Sequence, residues 1–199
     1  MFQSVFEPAG EAKLRTGERK TLDRRRPRLE EMRQLVVMRH AEANFVAGQP
    51  DLFRALTITG QRAAAAAARQ LDQSATTADR VLASTAVRVQ QTLACIREHW
   101  QKESEVENDP DLYLATLDEL GEKLKAQPES FRRIMIIGHN PGLSEFVTFL
   151  TGSQVHLQPA EMVHMQAEVA HWDDSFTNGL WDLKSTWTPP AAGTINVCR

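Results

Sequence analysis

Three short apolar runs set the strongest constraint on how this chain can fold. They are Gln34-Leu-Val-Val-Met38, Arg80-Val-Leu-Ala83 and Arg133-Ile-Met-Ile-Ile137. None alternates with polar residues, so each suits a strand covered on both faces, as in the interior of a parallel sheet. Helical spacing fills the intervals. Thr59 stands where it can cap a helix running through the alanine run to Leu71. Val89, Leu93, Ile96 and Trp100 define the buried face of the next helix, and residues 117–126 form a third amphipathic segment. Asn140-Pro141 reads as a cap and first turn for a helix carrying Phe146, Val147 and Leu150. From Met162 to Trp172 the pattern alternates, with Val163, Met165, Ala167 and Val169 on one side and His164, Gln166 and Glu168 on the other. That is a half-exposed strand, expected to pair with residues 180–187. Strands alternating with helices, then a terminal β pair, predict an α/β three-layer sandwich with a mostly parallel central sheet.

Composition narrows the function. The 199 residues carry a net charge of −3, 42% hydrophobic and 25% charged, ordinary for one globular domain. No run approaches the eighteen or so apolar residues of a membrane span, so no membrane association is expected. The first 33 residues hold a balance of +3 and the remainder −6. An acidic body without a long basic stripe argues against nucleic acid as a partner. Cys95 and Cys198 cannot build a disulfide framework and suit a reducing, cytoplasmic setting. Cys95 is read as a packing residue and Cys198 as a loose end. Cys95 also lacks an arginine six positions on, which excludes the cysteine-phosphatase loop.

Residues 1–33 read as a flexible basic extension because they lack the apolar periodicity needed to pack. They have no apolar h-region and so do not form a secretory signal, and their acidic residues argue against organelle import. Met32 is a candidate alternative start.

The three apolar runs end in groups able to hold or attack a phosphate. The first leads into Arg39-His40, the second into Ser84 with Arg88 beyond, and the third into Gly138-His139-Asn140. Ligands bind parallel α/β sheets at the carboxyl ends of strands, so Arg39, His40, Arg88 and His139 are expected to share one cleft. No Cys/His cluster has metal-ligand spacing, and no Gly-x-x-x-x-Gly-Lys loop is present. No metal and no cofactor is therefore expected.

Five ordered blocks resemble the histidine phosphatase, or phosphoglycerate mutase-like, superfamily and its small SixA-type phosphohistidine phosphatase branch. They are Leu35-Val-Val-Met-Arg-His-Ala-Glu-Ala43, Arg54-Ala-Leu-Thr57 with Thr59-Gly60, Ser84-Thr-Ala-Val-Arg88-Val-Gln-Gln-Thr92, Asp111-Leu-Tyr-Leu-Ala115 and Gly138-His-Asn-Pro-Gly142. A fainter likeness extends to Trp187-Thr-Pro189. The resemblance implies a phosphoglycerate mutase-like fold over residues 34–199 and His40 as a covalent nucleophile, its other ring nitrogen donating to a backbone carbonyl. It implies that Arg39, Arg88 and His139 grip the equatorial phosphoryl oxygens. Arg54 and Asn140 are expected to contact substrate. Ala41 stands where many members have Gly, and Ala55 replaces the proline usual after the matching arginine. Larger relatives carry a catalytic acid on an insertion for which this chain has little room; Asp111 and Glu42 are the nearest candidates. His156, His164 and His171 match nothing and are read as surface residues.

The leading reading is a phosphatase acting on phosphohistidine in a protein domain. A phosphomonoesterase for a small phosphorylated metabolite is the alternative within the same chemistry, and a non-catalytic phosphate-binding regulatory module is the alternative outside it. The short chain leaves the pocket open, which favours macromolecular targets. Retention of both His40 and His139 argues against the silent module. Deleting residues 1–31 is expected to leave activity and melting temperature nearly unchanged; a large drop in either would show that the segment docks on the body.

Overall fold

The computed structural model describes residues 32–73, 77–100 and 103–190. The expected extension up to residue 31, and Cys198, lie outside them. Six strands form one sheet: β1 (Met32–Arg39), β2 (Arg80–Ser84), β3 (Glu105–Asp109), β4 (Arg133–Gly138), β5 (Met162–Glu168) and β6 (Asp182–Trp187). Four α-helices connect them: α1 (Ile58–Gln73), α2 (Val87–Arg97), α3 (Leu117–Lys125) and α4 (Gly142–Thr151). The spatial order is β3-β2-β4-β1-β5-β6. β3, β2, β4 and β1 run parallel, β5 pairs antiparallel with β1, and β6 pairs antiparallel with β5.

Period-two alternation divides the apolar runs between two cores. Leu35 and Val37 of β1, Ile134 and Ile136 of β4, and Leu82 of β2 pack with Leu120 and Leu124 of α3 and Phe146, Val147 and Leu150 of α4. Val36, Met38, Met135, Ile137, Val81 and Ala83 point the other way, onto Ala64, Ala67, Ala68 and Leu71 of α1 and Val89, Leu93 and Ile96 of α2. The expected three layers follow. β4 enters between β1 and β2, so the chain reverses its direction across the sheet after β3. α1 and α2 accordingly pack on one face and α3 and α4 on the other.

Several boundaries differ from expectation. Thr59 is exposed inside α1, and the cap is Thr57, whose Oγ1 accepts from the Gly60 amide at 2.8 Å. α4 starts at Gly142, after Pro141, and the Asn140 side chain makes no cap bond to it. α2 stops at Arg97, leaving Trp100 half-buried beyond it. β5 ends at Glu168, with Trp172 fully buried in a 3-10 turn. β3, Glu-Val-Glu-Asn-Asp, was not expected: as an edge strand it needs no apolar run, and Arg80 of β2 pairs with its Glu105 and Glu107. α3 forms as expected, with a reciprocal capping box between Thr116 and Glu119. Cys95 is half-buried against the α1–α2 core.

The extension cannot reach residue 33. Arg33 lies in β1 with 1% of its surface exposed. Its Nη1 donates to the carbonyls of Glu129 (3.1 Å) and Phe131 (2.8 Å), its Nη2 pairs with the Glu129 carboxylate, and its guanidinium lies 5.1 Å over the Trp172 ring. Composition hides this role, because a buried arginine that satisfies loop carbonyls looks in sequence like one more basic residue. Arg33→Ala is expected to cost roughly 2–3 kcal/mol by stranding those acceptors. Urea unfolding measures it, and an unchanged midpoint would show the contacts to be inert.

Candidate active site

The register of the sheet brings the site together. Arg39 pairs across from Gly138, and Ala83 from Ile137, so His40, His139 and Ser84 leave three adjacent strands at one edge. Two glycines let the surrounding chain close in. A Cβ on Gly60 would lie 2.1 Å from the Glu42 carbonyl oxygen, and one on Gly142 would lie 1.9 Å from that of Ala115. Backbone meets backbone at both places, so only glycine fits.

His40 is fixed from several sides. Its amide donates to the Gly138 carbonyl and its carbonyl accepts from Ala160, each at 3.1 Å. Nδ1 lies 2.7 Å from the Ala41 carbonyl, a contact only a protonated Nδ1 can make, so Nε2 carries the lone pair. Burial, with the charges of Arg88, Arg39 and Arg54, pushes the pKa down to about 4 against the opposing bond to Ala41. The ring is therefore neutral at neutral pH, with Nε2 unprotonated. The Ala41 amide donates to Thr92 Oγ1 (3.1 Å), which donates to the Arg88 carbonyl (2.7 Å). Thr92 thus joins the loop after His40 to the helix that carries Arg88.

Arg88, 3% exposed, is the hub. Its Nε donates to His40 Nε2 at 3.1 Å and its Nη2 to His139 Nδ1 at 3.1 Å. A guanidinium only donates, so His139 Nδ1 accepts and its Nε2–H donates to Ser84 Oγ at 2.9 Å. His139 is buried, and its pKa is pushed down to about 3 by burial first and then by Arg88, His40 and Arg39, with Asp51 opposing. The two imidazoles lie 5.2 Å apart, centroid to centroid. Arg39 donates from Nη1 to the Leu157 carbonyl at 3.0 Å, and its buried Nε has no partner among the described residues.

Two groups at the site escaped the sequence reading: Asp51 and Tyr113. Asp51 sits in a 3-10 turn, and its Oδ2 accepts from Tyr113 Oη (2.6 Å) and Arg88 Nη2 (2.8 Å). Those bonds, with that from Arg54, hold its carboxyl well below the usual range, so it is ionised. Tyr113 also presents its ring to His139 edge-on, centroids 5.3 Å apart. A single aspartate among polar residues carried no periodic signal; its only trace was its place three residues before Arg54.

The remaining candidates go elsewhere. Arg54 donates to the Asn44 carbonyl (2.7 Å), the Ala43 carbonyl (3.4 Å) and Asp51 Oδ1 (2.9 Å), so it braces its own loop and touches the site through Asp51. Asn140 donates to the Leu157 carbonyl and accepts from Ser144 Oγ, both at 2.9 Å, tying α4 to the loop that also holds Arg39. Asp111 pairs with Lys123 at 3.0 Å, and Glu42 accepts from Thr57 Oγ1 at 2.8 Å. His156 and His171 are exposed as expected. His164 is not a surface residue: it is half-buried, and its Nε2 is buried without a partner among the described residues. Among those residues no group of three His, Cys, Asp or Glu is placed to hold a metal, and no helix is long and apolar enough to cross a membrane.

Comparison with known proteins places this geometry. An uncharacterised protein of Mycobacterium leprae is 31% identical over 130 residues, 63% of this chain and 78% of that one. A structure from Nakamurella multipartitia, assigned as a phosphohistidine phosphatase SixA, is 27% identical with a TM-score of 0.71, covering 80% of this chain and 98% of that one. A second, from Agrobacterium tumefaciens with the same assignment, shares the fold at 20% identity and TM-score 0.69, over 79% and 98% of the two chains. The phosphoglycerate mutase-like fold expected from the motifs is the one found. The family model for the histidine phosphatase superfamily, branch 1, matches residues 35–144, more than half of the sequence, and the chain belongs to that superfamily.

Proposed function

We propose that this phosphatase works by covalent catalysis at His40, without a metal, and that its substrate is phosphohistidine carried on a protein. The observation that carries the reading is the pair of bonds on His40: Nδ1–H to the Ala41 carbonyl, and Nε2 facing Arg88 Nε at 3.1 Å. The nucleophilic lone pair and the cation that meets the phosphoryl oxygens are thereby side by side.

In the first step His40 Nε2 bonds to phosphorus while the bond from phosphorus to the substrate's imidazole breaks. In the second, water attacks phosphorus, the bond to His40 breaks, and inorganic phosphate leaves with the water's oxygen. Two lower barriers replace one high one. Arg88 and Arg39 offer donors where charge gathers on the equatorial oxygens, and the buried, unpartnered Nε of Arg39 suits that role. His139 borders the same pocket, its Nδ1 accepting from Arg88 Nη2 at 3.1 Å, and so helps hold that arginine beside the phosphoryl group.

Leaving-group chemistry supports the substrate class. Departure of an alkoxide from a phosphomonoester needs a proton from a positioned acid. Asp51 is ionised and donates nothing, while Asp111 and Glu42 are engaged with Lys123 and Thr57. A phosphohistidine whose imidazole is already protonated departs as a neutral ring and needs no such acid.

His40→Ala is expected to abolish turnover, with no phosphoenzyme trapped, while wild type gives an acid-labile, base-stable label. Label retained on the variant would overturn the nucleophile assignment. Phosphohistidine is further expected to exceed phosphoserine in kcat/KM by at least about 10²-fold, the usual contribution of a general acid. Equal values would instead place a working acid in the site.

A further inference from the structure

Arg88 presents two different edges. A guanidinium is planar, with its N–H bonds in a fixed fork, so groups bonded along one edge set the direction of the other. The Nε and Nη2 edge faces the chemistry, with His40 Nε2 and His139 Nδ1 each at 3.1 Å. The Nη1 and Nη2 edge is held from behind by a single residue: Nη1 donates to the Asp51 carbonyl at 2.7 Å and Nη2 to Asp51 Oδ2 at 2.8 Å. The side-chain bond orients the plane, and the main-chain bond anchors it to the turn.

Asp51 is itself held in place. Tyr113 Oη donates to its Oδ2 at 2.6 Å and Arg54 Nη1 to its Oδ1 at 2.9 Å. The Arg54 bonds to Asn44 and Ala43, and the bridge pairing Ala43 with Leu56, close this loop at its base. The bonds run from the loop base through Arg54 to Asp51, and from Asp51 to the back of Arg88. This arrangement also explains why Arg54 belongs to the site without touching His40.

We propose that Asp51 is a positioning residue for phosphoryl transfer, acting through Arg88 by fixing the guanidinium so that its inner edge is aimed at the phosphoryl oxygens before substrate arrives. The inference rests on the phosphatase reading. Its consequence is that Asp51 stabilises the transferring group more than it contributes to ground-state binding, since aim matters most where charge develops. The carbonyl bond to Nη1 survives any side-chain substitution, so losing the carboxylate loosens Arg88 without freeing it.

A double-mutant cycle separates this role from a structural one. Arg88→Ala is expected to lose about 10²–10³ in kcat, as for one preorganised donor. Asp51→Ala is expected to lose about tenfold in kcat with KM moved less than threefold, and to weaken orthovanadate binding by a similar factor. On the Arg88→Ala background the same substitution should change neither quantity by more than about twofold. Asp51→Asn, which keeps the shape and one acceptor, should fall between wild type and Asp51→Ala. Equal losses on both backgrounds, or unchanged kcat and orthovanadate affinity after Asp51→Ala, would overturn the proposal. If wild type hydrolysed no phosphorylated substrate, the phosphatase reading would fail, and the orthovanadate arm of the cycle would still decide the role of Asp51.

Discussion

Burial of β1 and β4 on both faces is the constraint on which everything else depends. Leu35 to Met38 and Ile134 to Ile137 are at most 1% exposed, with helices above and below. A polar side chain in the middle of either strand would face a dry core, where an unpaired group costs on the order of 1–3 kcal/mol or more. Polar groups are therefore pushed to the strand ends. At the carboxyl end of the parallel set, adjacent strands deliver His40, His139 and Ser84 to one place. The site is a product of the packing.

At that edge the protein gathers arginines around imidazoles that stay neutral. Burial opposes protonation of His40 and His139, and nearby guanidinium charges oppose it further. Under the proposed mechanism, the guanidinium charges that would attract a phosphoryl dianion add to burial in keeping the His40 ring unprotonated. Asp51 tempers this excess of positive charge from the Nη1 and Nη2 edge of Arg88, leaving Nε to His40.

What could be read from sequence, and what could not, divides along physical lines. The interior strands were legible because burial on both faces leaves an apolar run; edge strand β3 has one neighbour and leaves none. The convergence of His40, Arg39, Arg88 and His139 was legible because each lies at or beside the end of an element in a recognisable block. Asp51 was not, since its role depends on a loop folding back so that residue 51 meets Arg88 of α2 and Tyr113, contacts that local pattern does not encode. Arg54 shows the intermediate case: its block pointed to the site, but its partners are carbonyls of its own loop. Arg33 was misplaced because net charge describes a segment's composition and says nothing of which carbonyls lie across the sheet. The two-residue error between Thr59 and Thr57 comes from two equivalent cap residues lying close together, of which Thr57 is the one that accepts from the Gly60 amide.

Thr92 gives the site a mechanical property. Its hydroxyl bridges the Ala41 amide and the Arg88 carbonyl, so the loop after His40 and the turn bearing Arg88 share one oxygen. Helix α2 and the loop after His40 are therefore joined at a single atom. The 3.1 Å between His40 Nε2 and Arg88 Nε thus rests on a junction of sheet edge and helix that one hydroxyl oxygen closes.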